Sequence, residues 1–182
     1  MNSNIGETIV ASYLEYIENC RYVFTNVKLH SDGRELDVLA VKGNTVYLCE
    51  IAVHINGLRY SQRGNKATLI KKFKSISEFA AEEYPGKKKI YMFWSPIVNV
   101  PRSKSSKNNG VKDIEDAVKE LKKKGIELTP VINGDFYKKI DELRDYAKGR
   151  KDEMNNPIMR FLQIEAGRDR FRSKDSYEKK ND

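Results

Sequence analysis

The chain has 182 residues, with 34 Lys or Arg against 26 Asp or Glu, and so carries a net charge of +8 at neutral pH. Its length suits one domain, with room for an appendage. No apolar run is long enough to cross a bilayer, and the N-terminus lacks the basic and apolar segments of a signal peptide. The two cysteines suggest no disulfide framework, and together with the two histidines they do not make a spaced zinc motif. A reduced, cytoplasmic location is therefore expected.

The predicted elements alternate between helices and strands, as in a mixed-sheet α/β sandwich. An amphipathic helix is predicted for residues 5–18, capped by Asn4 or Ser3. The later elements are, in chain order, strands at 21–29, 35–41 and 45–52, a helix at 66–83 capped by Asn65, a strand at 88–94, a helix at 111–124, a strand at 126–132, a helix from a cap at Asp135 to about 148, and a short helix from Pro157 to about Ala166. The charged segment from Arg168 predicts a tail. These elements divide the chain into a domain at 1–150 and a C-terminal helix with its tail at 151–182.

Two acidic residues lie in the apolar strands of a predicted hairpin. Residues 42–45 read as a tight turn, in which Gly43 and Asn44 supply the positive φ angles. With these two residues as the loop, Asp37 pairs with Glu50, and both side chains point to the same face with Cβ atoms about 5 Å apart. Two buried carboxylates repel each other, and a divalent metal between them would relieve that repulsion. A one-residue slip of the hairpin would instead put them on opposite faces, as ordinary strand residues.

Basic residues are concentrated next to these two acids and in the middle of the chain. No acid lies between Glu50 and Glu78, a segment that has six Lys or Arg residues. Residues 86–124 have eleven basic and four acidic side chains, whereas residues 1–85 have ten of each. Basic density directly after a pair of metal-type acids favours a polyanionic substrate. The alternative is a solvated helix with a lysine face.

Three acidic residues occur in a fixed order of predicted elements. Glu7 lies on the first helix, Asp37 in Glu-Leu-Asp-Val-Leu-Ala on the second strand, and Glu50 in Leu-Cys-Glu-Ile-Ala on the third strand, and a helix and a strand follow. This ordered set resembles the core of the PD-(D/E)XK nucleases, over about residues 5–95. The resemblance implies a restriction-endonuclease-like fold: a mixed β-sheet flanked by helices in an α-β-β-β-α-β core, here with further C-terminal helices. The family places a lysine two residues after the glutamate, and this chain has Ala52 there.

The resemblance leaves the position of the lysine open. Some members of the family supply it from the helix after the third strand, where this chain has Lys66, Lys71 and Lys72. Lys72 is the first candidate to orient the attacking water, because it falls on the side of the helix that packs against the sheet, and Lys66 is the second. In the alternative interpretations all three are surface lysines, or Ala52 marks a protein that binds without cleaving.

The resemblance also implies metal-dependent hydrolysis of phosphodiester bonds. Asp37, Glu50 and the carbonyl of Ile51 would hold Mg²⁺, for which Mn²⁺ would substitute. Glu7 would bind the metal directly or through water; its alternative is an ordinary acid in the first turn of a helix. His54 would share a face with Glu50, near the metal or the scissile phosphate, if the strand continues that far. A structural role is the alternative for His54.

Double-stranded DNA is the expected substrate. The basic residues that could contact it lie in the loop after the third strand, at the start of the next helix and in the polar loop at 101–110: Arg59, Arg63, Lys66, Arg102, Lys104 and Lys107. A homodimer is expected because two-fold symmetry matches a palindromic site. The predicted activity is that of a type II restriction-like endonuclease. The alternatives are a structure-specific nuclease for Holliday junctions or repair, a catalytically inactive DNA-binding protein on the same fold, and a role in RNA processing.

Overall fold

The structure, a computed structural model, describes residues 4–30, 33–54, 58, 64–100 and 109–178, with side chains described as far as residue 168. The elements along the chain are helix α1 (Ile5–Ser12), a π-helical turn (Tyr13–Ile17), strands β1 (Tyr22–Lys28), β2 (Glu35–Lys42) and β3 (Thr45–Ile51), helix α2 (Asn65–Glu83), strand β4 (Lys88–Ser95), helix α3 (Gly110–Lys122), strand β5 (Leu128–Ile132), and helices α4 (Gly134–Lys148) and α5 (Pro157–Glu178). Their order is the predicted α-β-β-β-α-β-α-β-α-α.

A five-stranded mixed sheet in the order β1-β2-β3-β4-β5 forms the centre of the fold. The first three strands are antiparallel to one another, whereas β4 and β5 continue the sheet in parallel from β3. One face of the sheet packs on α2 and α3, with Phe73 and Leu121 in its core, and is called the α2 face below. The other packs on α1, α4 and α5, with Trp94 and Leu143 in its core, and is called the α1 face. The predicted fold class, a restriction-endonuclease-like mixed sheet flanked by helices, is confirmed.

The hairpin of β2 and β3 has the predicted register. Lys42 pairs with Thr45, and the ladder continues outward to the pair of Val38 and Cys49. The next position on β2 is Asp37 and the next on β3 is Glu50, so the acids follow the pairing expected from the turn. The turn itself differs from the expectation, because Gly43 has a φ of 55° whereas Asn44 is not among the described residues with a positive φ. A positive φ at the first loop position alone is the pattern of a type II′ turn.

Helix α1 lies directly against β3. The side chain of Asn4 caps the helix by accepting a hydrogen bond from the backbone N–H of Gly6 (3.0 Å), as predicted. A Cβ atom at Gly6 would overlap the side chain of Val53 and lie 3.0 Å from Cγ2 of Ile51, so only glycine allows this close approach. The predicted single helix at 5–18 is interrupted, because its second half winds as the π-helical turn.

Two predicted helix caps are wrong. Gly64, with a φ of 74°, stands at the N-cap of α2, and Asn65 is already helical. Asn65 is buried and donates a hydrogen bond to the Asp113 carboxylate of α3 (3.1 Å), so a contact between helices replaces the local cap. Likewise, α4 begins at Gly134 after Asn133, and Asp135 lies inside its first turn, where it pairs with Lys138.

The last helix is longer than predicted. It begins at Pro157, as expected, but continues beyond Ala166 to Glu178. Charged residues such as Arg, Lys and Glu are good helix formers, so a charged composition does not by itself end a helix. An ion pair between Glu165 and Arg168 (3.8 Å) spans the predicted boundary. None of the helices in the described ranges is both long and apolar enough to cross a membrane.

Candidate functional site

The two acids of the hairpin line one cleft on the α2 face of the sheet. Glu50 lies near the end of β3 and is 1% exposed. Asp37 lies near the start of β2 and is half-buried. The cleft has a volume of about 280 Å³, and the described residues that line it are Leu29, Arg34, Glu35, Asp37, Glu50, Lys72 and Ile76. The strand pairing therefore brings Asp37 and Glu50 together at a concave surface, beside a lysine from α2.

Lys72 forms an ion pair with Glu50, through its Nζ and the Oε1 of the carboxylate. The side chain of Lys72 is 30% exposed and that of Glu50 is 2% exposed, so the contact lies at the inner end of the cleft. Burial lowers the pKa of Lys72 from its ordinary value; the Asp37 charge acts in the opposite direction and the Arg34 charge in the same direction. Lys72 reaches this position because α2 buries Phe73 against the sheet, next to it in the sequence.

Asp37 is anchored to the neighbouring strand. Its Oδ2 atom accepts a hydrogen bond from the backbone N–H of Ile51 (2.6 Å). Burial raises the pKa of Asp37, although that N–H and the charge of Lys72 lower it. Ionising Asp37 in the cleft is therefore costly, and a cation bound there would offset the cost.

Glu7 of α1 is not among the described residues that line the cleft. It is buried, and its Oε2 atom accepts a hydrogen bond from the side-chain amide of Asn26 in β1 (2.9 Å). Burial raises the pKa of Glu7; the hydrogen bond from Asn26 lowers it, and the charges of Asp37 and Glu35 raise it. Glu7 is therefore a buried carboxyl group whose hydrogen-bond donor comes from β1.

The position two residues after Glu50 belongs to the core. Ala52 is buried on the α2 face. Its N–H donates to the carbonyl of Trp94 (2.9 Å), and its carbonyl accepts from the hydroxyl of Ser95 (2.8 Å). The backbone at Ala52 is thus held to β4, and a small apolar side chain fills this place. The cation next to Glu50 comes from α2 instead.

Two other candidate site residues, His54 and Lys66, are not among the described residues that line the cleft. β3 ends at Ile51, so the continued strand that would put His54 on the face of Glu50 is not formed. His54 is exposed and is not among the described residues that line the cleft. Lys66 is in the first turn of α2 and lines a separate depression together with Asp113. Lys66 thus lies next to α3 and is not among the described residues that line the cleft with Glu50.

The remaining DNA-contact candidates, Arg59, Arg63, Arg102, Lys104 and Lys107, lie outside the described residues. Sequence reasoning missed two residues near the acids. Arg34, just before β2, lines the cleft, and nothing in its sequence context distinguishes it from other arginines. Asn26 interrupts the β-rich run of β1, and an asparagine inside such a run was the available signal, because Asn adopts left-handed backbone more readily than most residues.

The donor set fits a hard divalent cation with an incomplete protein shell. Within the described ranges, no group of three or more His, Cys, Asp or Glu side chains is placed to hold a metal ion. Mg²⁺ is usually bound by one or two carboxylates, with waters and substrate phosphate oxygens completing the octahedron. Asp37 and Glu50, two carboxylates on one cleft wall, match that pattern. Two carboxylates do not match a structural zinc site, which takes all of its ligands from the protein.

A family comparison agrees with this geometry. The model of the nuclease-related domain (NERD) matches residues 2–127, which include α1, the first four strands, α2 and α3. No curated protein and no solved structure matches the chain. The match contains every residue placed around the cleft and ends before β5, and the family's description indicates a nuclease. The chain therefore belongs to the nuclease-related domain family, a PD-(D/E)XK-like group of nuclease domains.

Proposed function

We propose that the protein is a metal-dependent DNA endonuclease with its active site in the cleft between β2, β3 and α2. The observation that carries the proposal is the ion pair between Lys72 and buried Glu50, beside Asp37. A buried carboxylate and a partly buried lysine are both costly, and both are retained at one concave surface. Two acids and a lysine are the residue types that PD-(D/E)XK chemistry requires, and here the lysine comes from α2.

In this proposal Asp37, Glu50 and the carbonyl of Ile51 would hold Mg²⁺, or Mn²⁺ in its place. The metal would supply an activated water and neutralise charge on the phosphate. Lys72 lies beside Glu50 and would orient the attacking water. The hydrogen bond from Ile51 ties the Asp37 carboxylate to the end of β3, so Asp37 would enter the reaction already positioned.

DNA as the substrate is supported by charge and by the cleft lining. The whole chain carries +8, and Arg34 adds a guanidinium to the cleft wall next to Lys72. A guanidinium can hold a phosphate through two parallel hydrogen bonds. Together with a divalent cation at the acids, Arg34 and Lys72 would suit a phosphodiester better than a neutral substrate, because Glu35, Asp37 and Glu50 outnumber them in the lining.

The test is cleavage of plasmid DNA with Mg²⁺ or with EDTA. We would compare the wild type with Asp37→Asn and Lys72→Met, which keep side-chain volume and remove charge. Lys74→Met is the matched control, because Lys74 is exposed on the same helix and does not line the cleft. We expect metal-dependent cleavage by the wild type and the control, and at least a hundredfold loss in the two cleft variants, as for groups that act in the transition state.

The cleavage pattern separates the finer proposals. Discrete fragments from a linear plasmid would support a type II restriction-like, site-specific enzyme, which is the activity proposed here. Cleavage confined to branched DNA would favour a structure-specific nuclease instead. Salt-sensitive DNA binding without cleavage under any metal would contradict the proposal and indicate a binding protein on a nuclease scaffold. The proposed homodimer is checked separately, by sedimentation with and without a palindromic duplex.

A further inference from the structure

Asn26 has a backbone conformation that strands do not normally contain. Its φ is 56°, in the left-handed region, although it lies in the middle of β1. The pairs on either side of it, Thr25 with Val38 and Val27 with Leu36, keep one register, so no residue is inserted. The residue opposite Asn26 on β2 is therefore Asp37. The irregular backbone of β1 thus coincides with an acid of the candidate site.

The two strands exchange faces at this point. Val38 and Ala40 of β2 pack in the core of the α1 face. Simple alternation would put Leu36 on that face too, yet Leu36 packs in the core of the α2 face. β1 shows the same exchange, since Val23 packs against the core of the α1 face and Val27 against that of the α2 face. The exchange lets Leu36 cover the core while Asp37, its neighbour in the chain, still lines the cleft.

The side chain of Asn26 makes the second link. Its amide donates to Glu7 of α1 (2.9 Å), and Glu7 is 7% exposed. A buried carboxylate needs a donor, and this one comes from the residue opposite Asp37. One residue therefore contacts the acid of α1 through its side chain and determines the course of the backbone beside the acid of β2.

We propose that Asn26 is a positioning residue, which holds Glu7 next to the β1 position opposite Asp37 and so tunes the affinity of the cleft for a divalent cation. The inference rests on the proposed function. Glu7 would act outside the direct ligands, as an acid whose charge favours a cation that Asp37 and Glu50 would hold. Partners of this kind typically change metal affinity by about 10- to 100-fold when they are removed.

The experiment separates the side chain of Asn26 from its backbone. Asn26→Gly removes the amide and keeps the left-handed φ without strain. Asn26→Asp tolerates the same φ but places a like charge against Glu7. Asn19→Gly is the matched control, because Asn19 has a φ of 55° and its amide donates to the Ile17 carbonyl (3.1 Å) at an exposed helix end. Mn²⁺ binding is measured on the whole chain by electron paramagnetic resonance, alongside thermal unfolding and plasmid cleavage.

We expect Asn26→Gly to remain folded without metal, with a melting temperature about 2–10 °C below the wild type because buried Glu7 loses its donor. It should bind Mn²⁺ about tenfold or more weakly. Asn26→Asp should lose at least as much affinity, and Asn19→Gly none. In cleavage, kcat at fixed metal should fall in Asn26→Gly while KM for DNA stays unchanged. An Asn26→Gly protein with wild-type Mn²⁺ affinity would overturn this inference and leave the proposed function standing. A wild type that binds no Mn²⁺ and cuts no DNA would overturn both.

Discussion

Replacing Lys72 by Met tests whether the ammonium group of Lys72 stabilises the buried carboxylate of Glu50. The substitution keeps an unbranched apolar stem of similar length and removes only the ammonium group. Glu50 would then be a carboxylate with a 2% exposed side chain and without its cation. Removing one partner of a buried ion pair costs about 3–5 kcal/mol. Because Lys72 is itself 30% exposed at the cleft, solvent screening reduces this cost, and we expect about 2–4 kcal/mol.

The assay is a double-mutant cycle in urea, at pH 7.5 with EDTA so that no metal contributes. Glu50→Gln alone should cost about 1–2 kcal/mol, because the remaining Lys72 can turn towards Asp37 or solvent. The double variant carries neither charge and should be more stable than the sum of the single effects predicts, with a coupling energy of about 1–3 kcal/mol. Lys74→Met, on the exposed side of α2, should stay within about 0.5 kcal/mol of the wild type.

The cycle has a clear refuting result. If Lys72→Met and Lys74→Met are equally harmless and the coupling energy is zero, Lys72 is a surface lysine that contributes nothing to the electrostatics of Glu50. That result would return the chain to the interpretation in which all lysines of α2 are solvated. It would also remove the observation on which the proposed nuclease mechanism depends, whatever the plasmid assay shows.

Two further outcomes follow from the cleft and from α1. The raised pKa of Asp37 means that the native state holds its proton to higher pH than the unfolded chain, so stability falls as pH rises from the ordinary pKa of 3.8 through the native pKa. Without metal, Asp37→Asn should therefore melt above the wild type at pH 7 and lose this advantage below pH 3.8. Saturating Mg²⁺ should raise the melting temperature of the wild type alone, and an Asp37→Asn protein that melts below the wild type at pH 7 without metal would contradict the argument. Gly6→Ala should lower stability by about 1–3 kcal/mol in thermal unfolding, because its methyl group overlaps Val53. Gly134→Ala is the control, because nothing lies within 4 Å of the added atom. Equal melting temperatures of the two variants would show that α1 can shift to make room for the methyl group.

The sequence by itself determined the order of the elements, the class of the sheet and the pairing that brings Asp37 and Glu50 to one face. These follow from short-range rules: apolar periodicity, a turn with glycine, and the two-residue alternation of strands. The register of β2 and β3 confirms the expected pairing outward from Thr45. The tail shows the limit of such rules, since composition suggested an end near Ala166 and the helix continues to Glu178.

Only the tertiary structure decided which lysine lies beside Glu50. Helical periodicity predicts the side of α2 that faces the sheet. The position of α2 along the sheet depends on how Phe73 and its apolar neighbours pack, and that packing puts Lys72, not Lys66, at the cleft. The same holds for Asn26, because a left-handed residue inside a strand reverses the alternation on which face assignments rest. Contacts between elements that are distant in the sequence determine both the position of Lys72 and the backbone of Asn26, and a local sequence pattern does not predict such contacts.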